Sequence, residues 1–280
     1  ADISTAINRN VTWARSKGLA ITASEVVTGE HSGLKSLPQM PTDNPNLAPA
    51  LSAAGIRVLA SDASREASPR TVGPARTVPR HPMNIYYNVA GTAEEIDEYN
   101  WIYTSKASGG SGICENNPAS TCIPPLPATG FTGYIVPLEA RIAFDHLVSA
   151  DADPHYAHQS NLTEDRILYP VLDSVLARYR ATFTAATPIV NPTYSDVAAL
   201  QNRQAAWRTA VTAKTVEAYV QNGVVTVVNR GPAALDVPVT APTGTRNVSP
   251  AGTFGDAYGT ERSAWRTLAR NAQTSLRLPS

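Results

Sequence analysis

Predicted helices and strands alternate along the first part of this sequence, and that alternation limits the fold more than any other feature. Apolar residues at helical spacing, closing glycines and short apolar runs predict, in order, helix 4–17, strand 20–27, helix 46–54 and strand 56–60. Alternation of this kind is typical of α/β folds, in which helices cover parallel strands. We therefore expect an α/β fold.

Predicted strands and helices continue to alternate beyond residue 80. The sequence predicts a strand over 84–89 and a helix that begins at Thr92, where Glu95 completes a capping box. Further predicted elements are helix 137–150, a short strand or turn over 153–159, helix 164–179, and a helix from a Ser195 cap to 213.

The pattern changes after about residue 214. Two alternating runs flank Asn222 and Gly223, which is a strong signal for a β-hairpin, and 235–242 predicts another strand. We expect two domains, an α/β portion over 1–213 and a small β module over 214–280.

Charge and hydropathy limit the partners of the chain. Twenty-three basic residues balance twenty-three acidic ones, so no net field attracts nucleic acid or an anionic membrane. No apolar run approaches the roughly 20 residues that a membrane span needs. We expect a neutral partner and no transmembrane segment.

Cys114 and Cys122 lie in one polar loop rich in Gly, Asn and Pro. This setting favours a disulfide, which suits an oxidising compartment, over a pair of free thiols in a cytosolic protein. Three N-x-S/T sequons, at Asn10, Asn161 and Asn247, permit export without showing it. The expected location is secreted or at the cell surface.

Reactive side chains follow predicted strands. In α/β folds the catalytic groups lie at the carboxyl ends of parallel strands. The residues that fit this position are His31, Asp62, Arg65, Arg80, His81 and the segment 153–161.

These segments resemble a known family. The runs VTGEHSGLKSLPQMPTDNPNLAPALSAAGIRVLASDASR, VPRHPMNIYYNVA and PHYAHQSNLTEDRILYPVLDSVLARY are similar to the later part of secreted polysaccharide deacetylases, such as those acting on galactosaminogalactan. The resemblance covers roughly residues 1–213. It implies a NodB-like distorted (β/α) barrel and an amino-sugar polysaccharide as the partner.

The resemblance also implies a metal. In this family an Asp and two His near the start of the domain hold a divalent ion, usually zinc, beside an Asp base. The ion lowers the pKa of water that attacks an N-acetyl carbonyl. The chain carries neither the paired acidic motif nor an H-x-x-x-H motif before its first helix. We therefore expect no metal ligands here, no stoichiometric zinc, and a possible partner in the protein's own missing amino-terminal half.

The family's later motifs supply the candidate site residues. His158 in HYAHQSN matches the late catalytic histidine, which protonates the leaving amine. Arg80 matches an arginine that orients an acidic catalytic residue, and Asp62 is expected on the same rim. The expected substrate contacts are His31, Arg65 and Asn161.

Structural explanations stay open for each residue. His158 fits a turn satisfied by backbone groups, Asp62 fits a cap of the next turn, and Arg65 and Arg80 fit surface ion pairs. A metal cluster of Asp153, His155 and His158 is an alternative, although a three-residue step in extended chain points the two histidines to opposite faces.

Alternatives remain for function as well. A non-catalytic secreted carbohydrate-binding or structural protein is the main rival, and the aromatic stretch Asn100, Trp101 and Tyr103 fits either a sugar platform or a core face. A glycoside hydrolase needs two opposed carboxylates. Asp62 and Glu30 are the obvious pair.

Overall fold

The computed structural model of the chain describes residues 2–117, 120–149, 151–185 and 187–279. The chain folds into two compact units, residues 1–182 and residues 183–280. Each unit has hydrophobic core clusters of its own. The helix over 194–212 belongs to the second unit, whereas the sequence analysis grouped it with the first domain.

Parallel strands organise the first unit. Its four-stranded sheet has the order β1–β2–β4–β3, formed by β1 (Glu25–Val26), β2 (Val58–Ala60), β4 (Ala75–Val78) and β3 (Thr71–Val72). The first three are parallel and β3 is antiparallel to β4. A second parallel pair joins β5 (His81–Pro82) to β6 (His155–Tyr156). The described residues form open sheets and not the closed barrel that the family resemblance implies.

Helices pack around these sheets in two core clusters. The helices of the first unit are α1 (Asp2–Ser16), α2 (Leu47–Ala53), α3 (Thr92–Tyr103), α4 (Val136–Val148) and α5 (Leu168–Thr182). A π-helical turn, Phe131–Ile135, leads into α4, and short 3-10 helices span Lys106–Ser108, Ile113–Asn116 and Gln159–Leu162. One core cluster lies where α2 meets the sheet, and the other joins α3, α4 and α5.

The strand predicted over 84–89 is wrong, because buried carboxylates hold its backbone instead of a neighbouring strand. The amide of Asn84 donates to Glu139 at 3.1 Å, and the amide of Tyr86 donates to Glu95 at 3.2 Å. Both carboxylates come from helices. The true strands at this point, β4 and β5, lie just before the predicted one.

Helix α3 begins close to its predicted start but with a different cap. Gly91 is the N-cap residue, and the carboxylate of Glu94 accepts the amides of Ala90 and Gly91. The hydroxyl of Thr92 donates to Asp165. The sequence pattern therefore placed the capping box one residue too late.

The second unit is a helix followed by β-structure. Helix α6 (Tyr194–Thr212) is capped by Thr193, two residues before the predicted Ser195. A five-stranded sheet has the order β11 (Gly252–Thr253), β10 (Arg246–Asn247), β14 (Gln273–Arg277), β8 (Val224–Asn229), β7 (Val216–Gln221). A three-stranded sheet has the order β12 (Asp256–Tyr258), β13 (Glu261–Leu268), β9 (Leu235–Pro242).

Three local predictions are confirmed. Asn222 and Gly223 have φ angles of 50° and 72° and form the hairpin between β7 and β8, as such turns require. Strand β9 spans the predicted 235–242. Cys114 and Cys122 form a disulfide. Across the described ranges, no helix combines the length and the hydropathy needed to cross a membrane.

Candidate functional site

The ends of parallel strands bring most of the predicted site residues together. His31 comes after β1, Asp62 after β2, and Arg80 after β4, while His158 follows β6. We call this group the strand-end cluster, and it consists of Glu30, His31, Asp62, Arg80, Tyr156 and His158.

Arg80 connects three of the segments in this cluster. Its side chain is buried, its Nε donates to the carbonyl of Ser61 at 2.9 Å, and its Nη2 donates to the carbonyl of Glu30 at 2.7 Å. Its guanidinium carbon lies 4.3 Å from the centre of the Tyr156 ring, which is cation–π geometry. Arg80 is therefore a positioning residue that fixes backbone and an aromatic ring.

The backbone of Glu30, whose carbonyl Arg80 binds, has a strained conformation. Glu30 has a φ angle of 44°, in the left-handed region that a side chain other than glycine seldom adopts. Such conformations persist where surrounding contacts impose them, and they concentrate at functional sites. The bond from Arg80 to the Glu30 carbonyl is a contact of this kind.

Asp62 is buried and both of its carboxylate oxygens are engaged. Oδ1 accepts the amide of Ser64 at 2.7 Å, and Oδ2 accepts the hydroxyl of Tyr156 at 3.2 Å. Burial, together with the nearby Asp62 carboxylate, raises the pKa of Tyr156, so its hydroxyl stays protonated and donates. Asp62 thus caps the following turn and also orients Tyr156.

His31 offers a hydrogen-bond donor. The ring is buried, and its Nδ1 accepts the backbone amide of Asp62 at 3.1 Å. An accepting Nδ1 places the ring proton on Nε2. That Nε2 is buried without a hydrogen-bond partner in the described part of the chain. A buried N–H without a partner is suited to a carbonyl or hydroxyl oxygen of a ligand.

His158 lies at the more open side of the cluster. Its side chain is 23% exposed, and its Nε2 is 3.9 Å from Oε1 of Glu30. The ring meets the rings of Tyr156 and Tyr87 edge-on, with centres 5.7 Å and 6.0 Å apart. The imidazole is therefore positioned by aromatic rings and keeps an exposed edge for a ligand.

Asn161 and Arg65, two of the expected substrate contacts, do not belong to the strand-end cluster. The Asn161 side chain is fully buried and accepts the amide of His158 at 2.8 Å, while its Nδ2 donates to the carbonyls of Tyr86 and Val89. These bonds use both amide protons and give Asn161 a role in holding the His158 backbone. Arg65 is exposed and its Nη1 donates to the Leu37 carbonyl at 3.3 Å.

A second group lies on the other face of the β5–β6 pair. We call it the histidine cluster, and it consists of His81, His146, Asp151, Asp153 and His155. The rings of His81 and His146 stack with centres 3.8 Å apart, and Nδ1 of His146 lies 2.9 Å from Nε2 of His155. His81 Nε2 is 3.1 Å from Oδ2 of Asp151. Burial, followed by the neighbouring histidines, lowers the pKa of His155 to about 4.

Strand alternation separates the two clusters. His81 and His155 are register partners in the β5–β6 pair, and successive side chains in a strand point to opposite faces. Arg80 and Tyr156, their immediate neighbours in the chain, contact each other in the strand-end cluster. His155 and His158 accordingly belong to different clusters, as their spacing predicts.

The strand-end cluster does not fit the metal ion that the family resemblance implies. His31 Nε2 carries a proton, so it offers no lone pair, and the described residues of this cluster bring no three ligand atoms within 4.8 Å of one another. Within the described ranges, the one group with three candidate ligand atoms within 4.8 Å of one another is His81, Asp151 and Asp153. That group belongs to the histidine cluster.

The aromatic stretch on α3 does not form one surface. Trp101 is 55% exposed, whereas Tyr103 packs against the core. The side-chain amide of Asn100 exchanges two hydrogen bonds with the backbone of Leu126. These residues therefore do not share a single sugar-stacking platform.

Sequence reasoning missed Tyr156 and His146. Tyr156 lies between two singled-out histidines, and alternation along the strand places it on the face of His158. His146 is near the end of α4, distant in sequence from His81. Only the packing of α4 brings it to the β5–β6 pair.

Comparisons with known proteins include a likeness that bears on the fold. No protein-family profile matches the chain, and no curated protein sequence matches it. Among solved structures, Agd3, described as a novel carbohydrate deacetylase, aligns with 100% of this chain at a TM-score of 0.64 and 18% identity. A putative α-galactosidase from Bacteroides fragilis aligns over 99% of the chain with a TM-score of only 0.24 and 10% identity, which supports no argument.

The likeness to Agd3 is a likeness of fold. The chain covers 42% of the Agd3 chain, so it spans less than half of that protein's length. The chain therefore shares the fold of part of a carbohydrate deacetylase.

Proposed function

We propose that the chain is the later part of a secreted carbohydrate deacetylase that removes N-acetyl groups from an amino-sugar polysaccharide. The observation that carries the proposal is the convergence of His158, Asp62 and Arg80 at the ends of parallel strands. A fold shared with part of a carbohydrate deacetylase supports it.

The proposed reaction is hydrolysis of an amide. Water adds to the carbonyl carbon of the N-acetyl group, the carbon–nitrogen bond then breaks, and the products are acetate and a free sugar amine. The nitrogen must gain a proton as it leaves, since an amide anion is a poor leaving group. A general acid at this position contributes about a hundredfold or more to turnover.

His158 is the proposed general acid. It is partly exposed and carries a ring nitrogen 3.9 Å from the carboxylate of Glu30. The two flanking tyrosine rings fix the plane in which the proton is delivered.

The other members of the cluster bind and position. His31, whose Nε2 is buried without a hydrogen-bond partner among the described residues, stays the proposed substrate contact. Asp62 and Tyr156 hold each other, and Arg80 holds the Tyr156 ring and the Glu30 carbonyl. Because Glu30 and Tyr156 both flank His158, Arg80 positions the general acid indirectly.

The donors of the strand-end cluster do not fit a divalent metal, so we assign no step to one within this chain. If the reaction uses the zinc that the family resemblance implies, its ligands lie in another part of the protein. Strand β1 is an edge strand, and an apolar groove beside it is lined by residues such as Ile7, Ile21 and Val26. An edge and groove of this kind support packing against such a part.

Acetate release tests the proposal. The complete gene product and the 280-residue chain are each incubated with partially acetylated amino-sugar polymers, and acetate is measured. We expect release by the complete protein and none by the chain alone. His158→Ala in the complete protein should reduce turnover on the order of a hundredfold. The matched control is Gln159→Ala, which changes the exposed neighbouring residue.

Two outcomes would contradict the proposal. Tight binding of the polymer without any acetate release would favour the non-catalytic carbohydrate-binding alternative. Normal turnover in His158→Ala, with the fold retained by circular dichroism, would show that another residue supplies the proton.

A further inference from the structure

The histidine cluster combines imidazole and carboxylate ligands at one place. His81 lies in β5, directly after Arg80. Asp151 and Asp153 come from the segment between α4 and β6. One ligand atom from each of these three residues lies within 4.8 Å of the other two.

We propose that His81, Asp151 and Asp153 bind a divalent transition-metal ion, with zinc as the reference ion. Ligand atoms around tetrahedral zinc lie roughly 2.0–2.2 Å from the ion when they are imidazole nitrogen or carboxylate oxygen. The three ligand atoms lie within 4.8 Å of one another, so the side chains must move closer together to coordinate one ion. Three protein ligands leave the fourth position for water.

Neighbouring groups hold the side chains of His81 and Asp151 in place. The His146 ring stacks on His81 at 3.8 Å and is itself within hydrogen-bond distance of His155. Oδ1 of Asp151 accepts the backbone amide of Asp153 at 2.9 Å, while its Oδ2 faces His81. Supporting contacts of this kind fix ligand orientation at metal sites.

The ligand set selects the class of ion. Calcium and magnesium prefer oxygen ligands alone, whereas imidazole suits zinc, nickel, cobalt and copper(II). Soft ions such as copper(I) select thiolate or thioether ligands, and the cysteines of this chain are joined in a disulfide. Zinc, cobalt and nickel are therefore expected to bind, and calcium and magnesium are not.

The position of the site separates this ion from the proposed deacetylation. His81 and His155 face away from Tyr156 and the strand-end cluster. An ion here joins the segment before β6 to β5 and stabilises the strand pair that carries both faces. The inference revises the expectation that this chain holds no metal, and it does not depend on the proposed function.

Zinc titration tests the site directly. The 280-residue chain is treated with a chelator, dialysed, and titrated with zinc chloride by calorimetry, with calcium and magnesium chlorides in parallel. We expect one equivalent of zinc, a higher melting temperature with zinc, and no measurable binding of the other two ions. Asp151→Asn and Asp153→Asn should each weaken zinc binding by roughly tenfold or more.

Controls distinguish this site from other binding. Asp145→Asn removes an exposed carboxylate near the end of α4 and should leave zinc affinity unchanged. Cobalt(II) substitution gives visible absorption bands that report imidazole and carboxylate coordination even where a variant is less stable. Failure of the original chain to bind zinc at about 100 μM would overturn the proposal. So would zinc binding by both Asn variants that is as tight as that of the original chain.

Discussion

The guanidinium of Arg80 lies over the ring of Tyr156, with 4.3 Å between the guanidinium carbon and the ring centre. Each residue has a histidine beside it in the chain, and those two histidines are register partners on the opposite face of the β5–β6 pair. One short strand pair therefore carries two chemically distinct clusters. A substitution in the strand-end cluster should therefore leave the histidine cluster unchanged, and the reverse should also hold.

Tyr156→Phe tests the polar contact within the strand-end cluster. The substitution keeps the ring beneath Arg80 but removes the hydroxyl that donates to Asp62. Hydrogen bonds to charged groups contribute roughly 1.5–3 kcal/mol to stability, so we expect the free energy of unfolding to fall by about that amount. We also expect kcat for acetate release to fall, because the Tyr156 ring beside His158 is less firmly held, while KM should change little. The matched control is Tyr219→Phe, at an exposed position in the second unit, and an unchanged kcat in Tyr156→Phe would exclude this role.

Asn161→Ala tests whether Asn161 supports the His158 backbone. The substitution leaves the His158 amide and the carbonyls of Tyr86 and Val89 without their present partner. A buried polar group that loses its partner costs about 1–3 kcal/mol, so we expect the free energy of unfolding to fall by roughly 2 kcal/mol or more. Urea denaturation measures this change. A fully stable variant with weaker substrate binding would instead support the substrate contact predicted from sequence.

Glu95→Gln tests a buried carboxyl group that destabilises the fold at neutral pH. Burial is the main cause that raises the pKa of Glu95 to about 8, whereas a carboxyl group in the unfolded chain titrates near 4.3. The folded state therefore binds more protons than the unfolded state between these values. The contribution of Glu95 to the free energy of unfolding is therefore most favourable below about pH 4.3. It falls as the pH rises towards 8, by at most about 1.4 kcal/mol per pH unit.

The measurement is melting temperature against pH. Glu95→Gln should be more stable than the original chain at pH 7 to 8, with a flatter profile, and the difference should shrink as the pH falls. Asp97→Asn, which changes an exposed carboxylate on the same helix, is the control. Equal pH profiles for Glu95→Gln and the original chain would contradict the prediction.

The disulfide can be checked by mass. Intact protein should be lighter than the reduced protein by two hydrogen atoms, and alkylation before reduction should label neither Cys114 nor Cys122. Replacing both by Ser should lower the free energy of unfolding by roughly 2–3 kcal/mol, because the short loop loses its closure. Two alkylatable thiols in the unreduced protein would exclude the bridge in solution.

The sequence alone determined the local features of this protein. Turn and cap signals depend on a few adjacent residues, so Gly18, Gly55 and the Asn222–Gly223 hairpin occur where the pattern predicts them. Alternation also placed reactive side chains after strands, because strand ends are marked by polar residues next to apolar runs. The separation of His155 from His158 followed from the period of an extended chain.

Tertiary structure decided everything that depends on distant residues. The backbone over 84–89 does not form a strand, because the buried carboxylates of Glu95 and Glu139 accept hydrogen bonds from its amides. No local sequence pattern encodes those bonds. His146 reaches His81 only through the packing of α4. The sheets stay open among the described residues because closure depends on strand pairing over the whole domain, which side-chain periodicity does not specify.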